Sequence, residues 1–172
     1  YNGKFAGVNM KETKRYRLVP VANSSTGWTL EALPAAQQPA QVAMNKPQTL
    51  SDFMKWGASA FPAEKYAISL WDHGGGPILG FGQDLSLGGG TMLTLNEITS
   101  AFKDSGVKFE LAGFDACLMA SLEVASVLSP YVNFLVASED ITTGWQWTDV
   151  VNFLAANPAA TGDKLGTAIV QS

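Results

Sequence analysis

From residue 47 onward the apolar positions fall into two alternating patterns. Pro47-Gln48-Thr49-Leu50-Ser51-Asp52 opens a stretch whose apolar residues, Leu50, Phe53, Met54, Trp56 and Ala60, recur at helical spacing, with Thr49 or Ser51 as the expected cap. Residues 65–71 form a short, mostly apolar run that stops at Asp72-His73-Gly74-Gly75-Gly76, as a buried central strand does on meeting a glycine turn. Thr94-Leu95-Asn96-Glu97-Ile98 then starts a second helix with a capping-box pattern, and this helix ends near Gly106. Residues 108–114 read as a second strand closed by Asp115-Ala116-Cys117. Leu118, Ala120, Leu122, Val124, Ala125 and Leu128 follow as the buried side of a third helix that starts near Leu118. A third strand over 132–137 leads into Ser138-Glu139-Asp140 and a loop through Gly144-Trp145-Gln146-Trp147.

Strand, helix, strand, helix, strand predicts an α/β fold with a mostly parallel sheet flanked by helices. In open sheets of this kind ligands bind outside the carboxyl ends of the strands. His73, Asp115 with Cys117, and Glu139 with Asp140 all fall on that one edge, although they are far apart in sequence. The first third of the chain is less regular. Residues 15–20 alternate as a short strand that Trp28-Thr29-Leu30 can pair with as a hairpin, and Asn23-Ser24-Ser25-Thr26-Gly27 and residues 34–47 read as turns and loops. The basic cluster Lys11, Lys14, Arg15 and Arg17 is either a solvated strand face or an exposed cleavable site.

Composition narrows the function. A chain of 172 residues with 47% hydrophobic residues suits one domain with one main core, and its start at Tyr1 without Met and its end within a helical pattern lead us to expect a piece of a longer chain. With a net charge of −4 and two arginines among eleven basic residues, it offers no basic face for nucleic acid. No apolar run approaches the roughly 20 residues of a membrane span, and the first residues lack the order of a signal peptide. One cysteine excludes an internal disulfide framework and every multi-cysteine metal site.

Cys117 is therefore either a small buried hydrophobe or a nucleophile. A thiol attacks only as thiolate, which a nearby histidine or a helix N-terminus favours, and the sequence places both beside Cys117: the chain's one histidine at a neighbouring strand end, and the helix expected to open at Leu118. Glycines after His73 let backbone approach a scissile carbonyl, so that the N–H of Gly74, with that of Cys117, forms an oxyanion site. The alternatives are a structural histidine and a simple tight turn.

Leu70-Trp71-Asp72-His73-Gly74-Gly75-Gly76 together with Gly113-Phe114-Asp115-Ala116-Cys117-Leu118-Met119-Ala120 closely resembles the two active-site blocks of the clostripain-like cysteine peptidases, which share a fold group with caspases, legumains and gingipains. The likeness extends through Val8-Asn9-Met10, Pro47 to Phe53, Leu93 to Ile98 and Val136 to Trp145. It implies a caspase-like three-layer sandwich over 1–172, with an irregular N-terminal part (1–46) and a catalytic core (47–172). It also implies a secreted or bacterial envelope endopeptidase in which His73 is the base and Cys117 the nucleophile. Asp115 would sit at the base of the primary specificity pocket, pairing with a substrate lysine or arginine, or else cap the following helix; Glu139, Asp140 and Trp145 would form the pocket wall. Trp145 and Trp147 are equally readable as packing, and Asp72 as a strand-end polar residue.

The residues also depart from the family. The loop from Pro77 to Leu95 holds no Lys or Arg at which the chain could cut itself, and the first sheet strand has no obvious counterpart, which leaves a companion chain or a further segment to complete the sheet. The chemistry needs no cofactor. Calcium is allowed by the resemblance, with Asp84, Asp104, Glu139, Asp140 and Asp149 as oxygen ligands, but these form no EF-hand spacing. Two other readings stand beside the peptidase: a catalytically inactive binding module of the same fold, and a plain α/β domain whose glycine turn binds a small anion.

Overall fold

A computed structural model describes Lys4–Phe5 and Val8–Asn9 in their backbone, residues 12–22, and residues 25–172. The chain divides into two units, Tyr1–Ala43 and Met44–Ser172. In the first, β1 (Lys4–Phe5) pairs antiparallel with β2 (Val8–Asn9), and β3 (Tyr16–Pro20) with β4 (Trp28–Ala32). The second pair is the hairpin expected from residues 15–20 and 28–30. Arg17 stands opposite Glu31 in its register and bonds that carboxylate at 2.8 Å, while Lys14 pairs with Glu12, so these two cations lie on a solvated, ion-paired face. Lys11 of the basic cluster, Met10, Asn23 and Ser24 lie outside the described residues.

The second unit runs α1 (Pro47–Ala60), β5 (Ala67–Trp71), α2 (Gly76–Leu79), β6 (Phe81–Gln83), β7 (Met92–Leu93), α3 (Leu95–Ser105), β8 (Phe109–Asp115), α4 (Leu122–Leu128), β9 (Val132–Val136), α5 (Trp147–Ala156) and α6 (Gly162–Gln171). Strands β5, β8 and β9 form a parallel sheet in that order. Ile68, Leu70, Ala112 and Phe114 from the sheet meet Leu50 and Met54 of α1, Ile98 and Phe102 of α3, and Val124 and Leu128 of α4. On the other face Leu111 and Val136 meet Val150 of α5 and Leu165 and Ile169 of α6. Helices on both faces of a parallel sheet make the mixed α/β, three-layer arrangement that the alternating pattern predicted. The capping box of α3 also forms as expected, Thr94 accepting from the Glu97 N–H and Glu97 reaching back, with Gly106 in the left-handed conformation at the far end.

Three expectations fail, each for a local reason. Helix α1 starts on Pro47 at its first position with Lys46 before it, so neither Thr49 nor Ser51 caps it, and Ser51 is fully buried. The buried central strand is β8 rather than β5: helices cover both faces of β8, whereas β5 buries Ile68 and Leu70 and exposes Ala67, Ser69 and Trp71. The third helix opens at Leu122, capped by Ser121, not near Leu118. The chain from Ala116 to Ala120 instead turns back against the end of β9. Leu118, the one non-glycine with positive φ among the described residues, donates its N–H to the Asp140 carbonyl at 3.3 Å, and Ala120 donates to Ser138 at 2.9 Å. Leu118 and Leu122 are consequently exposed, while Val124 and Leu128 are buried as expected.

Candidate active site

Strand register brings the chemical groups together. Trp71 is paired with Asp115 where β5 and β8 end, so His73 and Cys117 each lie two residues beyond the same rung. Adjacent strands are about 4.8 Å apart. Gly113 is paired with Val136, which puts Asp140 on the level of Cys117 from the third strand, and the Leu118 to Asp140 bond closes that side.

The turn after His73 is tightly built. His73 accepts from the Gly82 N–H at 2.9 Å, Gly75 donates to Gly80 at 2.8 Å, and the Asp72 carboxylate accepts the His73 N–H at 2.6 Å and the Gln83 N–H at 3.2 Å. Asp72 is thus a turn-forming residue at the strand end, as the sequence suggested. Gly74 lies directly against the Cys117 backbone: a Cβ there would stand 2.0 Å from the Cys117 carbonyl oxygen. Among the described residues neither the Gly74 nor the Cys117 N–H has an acceptor, which leaves two donors beside the thiol. The His73 side chain is exposed and the Cys117 thiol half-buried, 4.0 Å from the Thr142 carbonyl; no hydrogen bond joins imidazole to thiol among the described residues. With α4 opening five residues past Cys117, the helix N-terminus expected to favour a thiolate is absent from the site, and of the two features expected beside the thiol only His73 stands at this sheet edge.

Gly74→Ala is expected to lower both stability and any turnover, the latter by about 100-fold or more, because the added methyl meets backbone that cannot rotate away. Thermal unfolding and kcat/KM on one preparation check this. A variant that keeps wild-type turnover would show that the close approach is dispensable.

Asp115 is 3% exposed. Its Oδ2 accepts the Trp147 indole N–H at 2.8 Å, while Oδ1 is buried with no partner among the described residues. Gly144 borders the same carboxylate, a Cβ there falling 3.5 Å from Oδ1. Since α4 starts well beyond it, Asp115 caps no helix. Trp145 stands over Gly113, where a Cβ would come 2.5 Å from its ring, and its ring lies 5.4 Å from that of Trp147. Glu139 and Asp140 are exposed; the Asp140 carboxylate accepts the Ile141 N–H at 2.7 Å. The immediate neighbours of Asp115 are therefore Gly144 and Trp147. The sequence offers Trp147 only as a packing residue, because indoles at 145 and 147 carry no signal to tell which of them turns its N–H inward.

Asp84 has a structural task. Burial pushes its carboxyl up, but hydrogen bonds from the Leu87 and Met44 N–H groups and from Ser86 outweigh that and hold it well below the usual range. Asn45 supports the same loop, donating to Gly88 at 2.9 Å and to the Thr91 carbonyl and hydroxyl. Depression of a carboxyl adds stability that is complete above its unfolded value near 3.9 and fades as pH falls below it. Protease nicking within residues 84–91 is expected to rise below about pH 4, and Asp84→Asn is expected to nick readily at neutral pH; equal nicking at pH 3 and pH 7 would remove this role. Among the described residues no three His, Cys, Asp or Glu side chains gather as metal ligands, and none of their helices is long and apolar enough to cross a membrane.

A histidine turn and a cysteine turn thus lie side by side at the carboxyl ends of a parallel sheet, with backbone donors between them. The model of peptidase C11, the clostripain family, matches residues 23–172, and the chain belongs to that family. Among solved structures it is similar to a secreted C11 cysteine protease from Bacteroides thetaiotaomicron in complex with an irreversible peptide inhibitor, with 21% identity and a TM-score of 0.73 over 92% of this chain and 43% of that one. A second secreted C11 cysteine protease from the same organism, iotapain, shares 17% identity at a TM-score of 0.63 over 81% of this chain and 42% of that one. An inactive zymogen C11 protease from Parabacteroides distasonis shares 19% at 0.59, over 90% and 49%. At these identities the structures establish the fold alone, and the chain spans less than half the length of each. No protein among those with curated functions matches it.

Proposed function

We propose that this chain carries the catalytic centre of a cysteine endopeptidase that cleaves after Arg or Lys. The observation that carries the reading is Asp115: a buried carboxylate two residues before the cysteine, with one oxygen held by Trp147 and the other unpaired beside a glycine. A buried acceptor without a partner is costly, and a cationic guest supplies the missing donors. A neutral guest leaves the charge unpaired, so selectivity follows from the same atoms. The Trp145 and Trp147 rings offer a flank for the aliphatic part of the guest's side chain, and Glu139 and Asp140 add negative potential outside it.

In the reaction His73 takes the Cys117 proton and the thiolate attacks the scissile carbonyl carbon. The N–H groups of Gly74 and Cys117 receive the oxyanion. Collapse expels the amine, which takes its proton from His73, and leaves a thioester on Cys117. Water then gives a proton to His73 and attacks the thioester, and the second collapse returns the thiol and releases the new carboxylate. No metal is needed for these steps. Among the described residues β5 stands at the edge of its sheet, which suits completion by a further part of the protein or a companion chain. A secreted setting follows the description of the two Bacteroides proteases.

The test is a set of fluorogenic peptides ending in Arg, Lys, Asp, Asn or Leu, given to the full-length protein with and without calcium. Turnover confined to Arg and Lys is expected. Turnover after Asp or Asn keeps the dyad and removes the role of Asp115, and no turnover by folded protein points to the inactive binding module.

A further inference from the structure

Two stretches border the thiol and imidazole without a single charged side chain: Gly74 to Phe81, and Ala116 to Leu122. They nevertheless expose large aliphatic side chains, Ile78 at 89%, Leu79 at 64%, Leu118 at 42% and Leu122 at 83%. Two of them, Leu79 and Leu118, lie against the glycine turn. Leu79 folds over Gly75, where a Cβ would lie 2.4 Å from its own Cβ, and Leu118 faces Gly76, with 3.7 Å between the corresponding positions. Helix α2, which carries Ile78 and Leu79, packs against α4, which starts with Leu122. An exposed aliphatic cluster beside reacting groups calls for an occupant.

The reaction chemistry decides which part of a substrate reaches it. The pocket for the residue before the cut lies toward β9, because Asp115 is bordered by Gly144 and Trp147 and the thiol itself lies near Thr142. The leaving amine must lie where His73 can protonate it, on the β5 side; Gly75, Gly76 and Leu79 lie there, and the Leu118 side chain reaches toward Gly76 from a backbone that is bonded to Asp140 on the β9 side. A peptide crossing Cys117 therefore enters over Asp115 and leaves over the aliphatic cluster.

We propose that Leu79 and Leu118, with Ile78 and Leu122 at the margin, form the subsite for the residue immediately after the scissile bond and select a large apolar side chain there. This rests on the peptidase reading above and deepens it: the preferred substrate carries Arg or Lys followed by Leu, Ile, Met or Phe. Burying such a side chain against the cluster favours cleavage, whereas an acidic one is desolvated with no cation nearby to pair with.

The test uses internally quenched peptides that share an Arg before the cut and carry Leu, Ser or Asp after it, together with an arginyl aminocoumarin substrate that has no residue beyond the cut, all with the full-length protein. The expected kcat/KM ratio of Leu to Asp is about tenfold or more, and it falls several-fold in Leu79→Ser and in Leu118→Asn, the latter chosen because Asn accepts the left-handed backbone of that position. Cleavage of the aminocoumarin substrate with equal rates for Leu, Ser and Asp overturns the subsite and leaves the peptidase reading standing. Failure to cleave any of the four overturns both. The wild-type ratio decides even where a variant does not fold.

Discussion

Cys117→Ala is expected to abolish turnover after Arg and Lys, a loss of about 10⁵-fold or more, while changing folding stability by less than about 1 kcal/mol. The two halves of this result follow from the same geometry. The thiol is half-buried, and among the described residues its hydrogen bonding is a weak contact to the Thr142 carbonyl at 4.0 Å, so little is lost with the sulfur. Chemistry, by contrast, has no second route, since Cys117 is the chain's sole cysteine. His73→Ala is expected to cost about as much, and the double variant little more than either single one, because a nucleophile and its base act as a unit. The checks are kcat/KM on an Arg peptide, thermal unfolding, and labelling by a thiol-directed peptide inhibitor. Retention of more than about a thousandth of wild-type turnover in Cys117→Ala would refute the assignment. If Cys117→Ala is inactive and His73→Ala keeps near-normal turnover and labelling, the base lies elsewhere.

The backbone that holds these groups was partly legible in the sequence. Strands that stop abruptly at Asp72-His73-Gly74 and at Asp115-Ala116-Cys117 told that both residues lie at one sheet edge, because period and glycine punctuation are local signals. The capping box at Thr94 and Glu97 was readable for the same reason. What the pattern hid was non-local. Leu118, Ala120 and Leu122 continue the apolar spacing of α4, so the helix looked longer than it is. The chain turns back because Leu118 and Ala120 bond Asp140 and Ser138 at the far end of another strand, a pairing no window of adjacent residues contains. The central position of β8 was hidden likewise, since β5 and β8 are both apolar runs and only sheet order distinguishes them. The partner of Asp115 is a third case: Gly144 and Trp147 lie about thirty residues away, and their place beside the carboxylate is fixed by the path of the loop between β9 and α5.

That partner sets up the second large effect. Asp115→Asn is expected to cut kcat/KM for Arg and Lys substrates by about 10²- to 10³-fold, because it removes a buried carboxylate that a guest cation would pair with. The same change is expected to raise the melting temperature by about 2–4 °C, the equivalent of about 1 kcal/mol in a chain of this size. In the unliganded protein Asp115 holds a carboxylate with one oxygen unpaired in a buried place, and an amide of the same shape keeps the Trp147 bond without the charge. Activity and stability moving in opposite directions distinguishes a specificity residue from a structural one, which would lose both. Trp147→Phe serves as the companion: it removes the indole donor but keeps an aromatic ring, and is expected to lower Arg and Lys turnover about tenfold through loss of a hydrogen bond to a charged group. Unchanged Arg and Lys turnover in Asp115→Asn would move the specificity pocket away from this carboxylate. Loss of turnover together with a lowered melting temperature would make Asp115 a structural residue whose unpaired oxygen has another purpose.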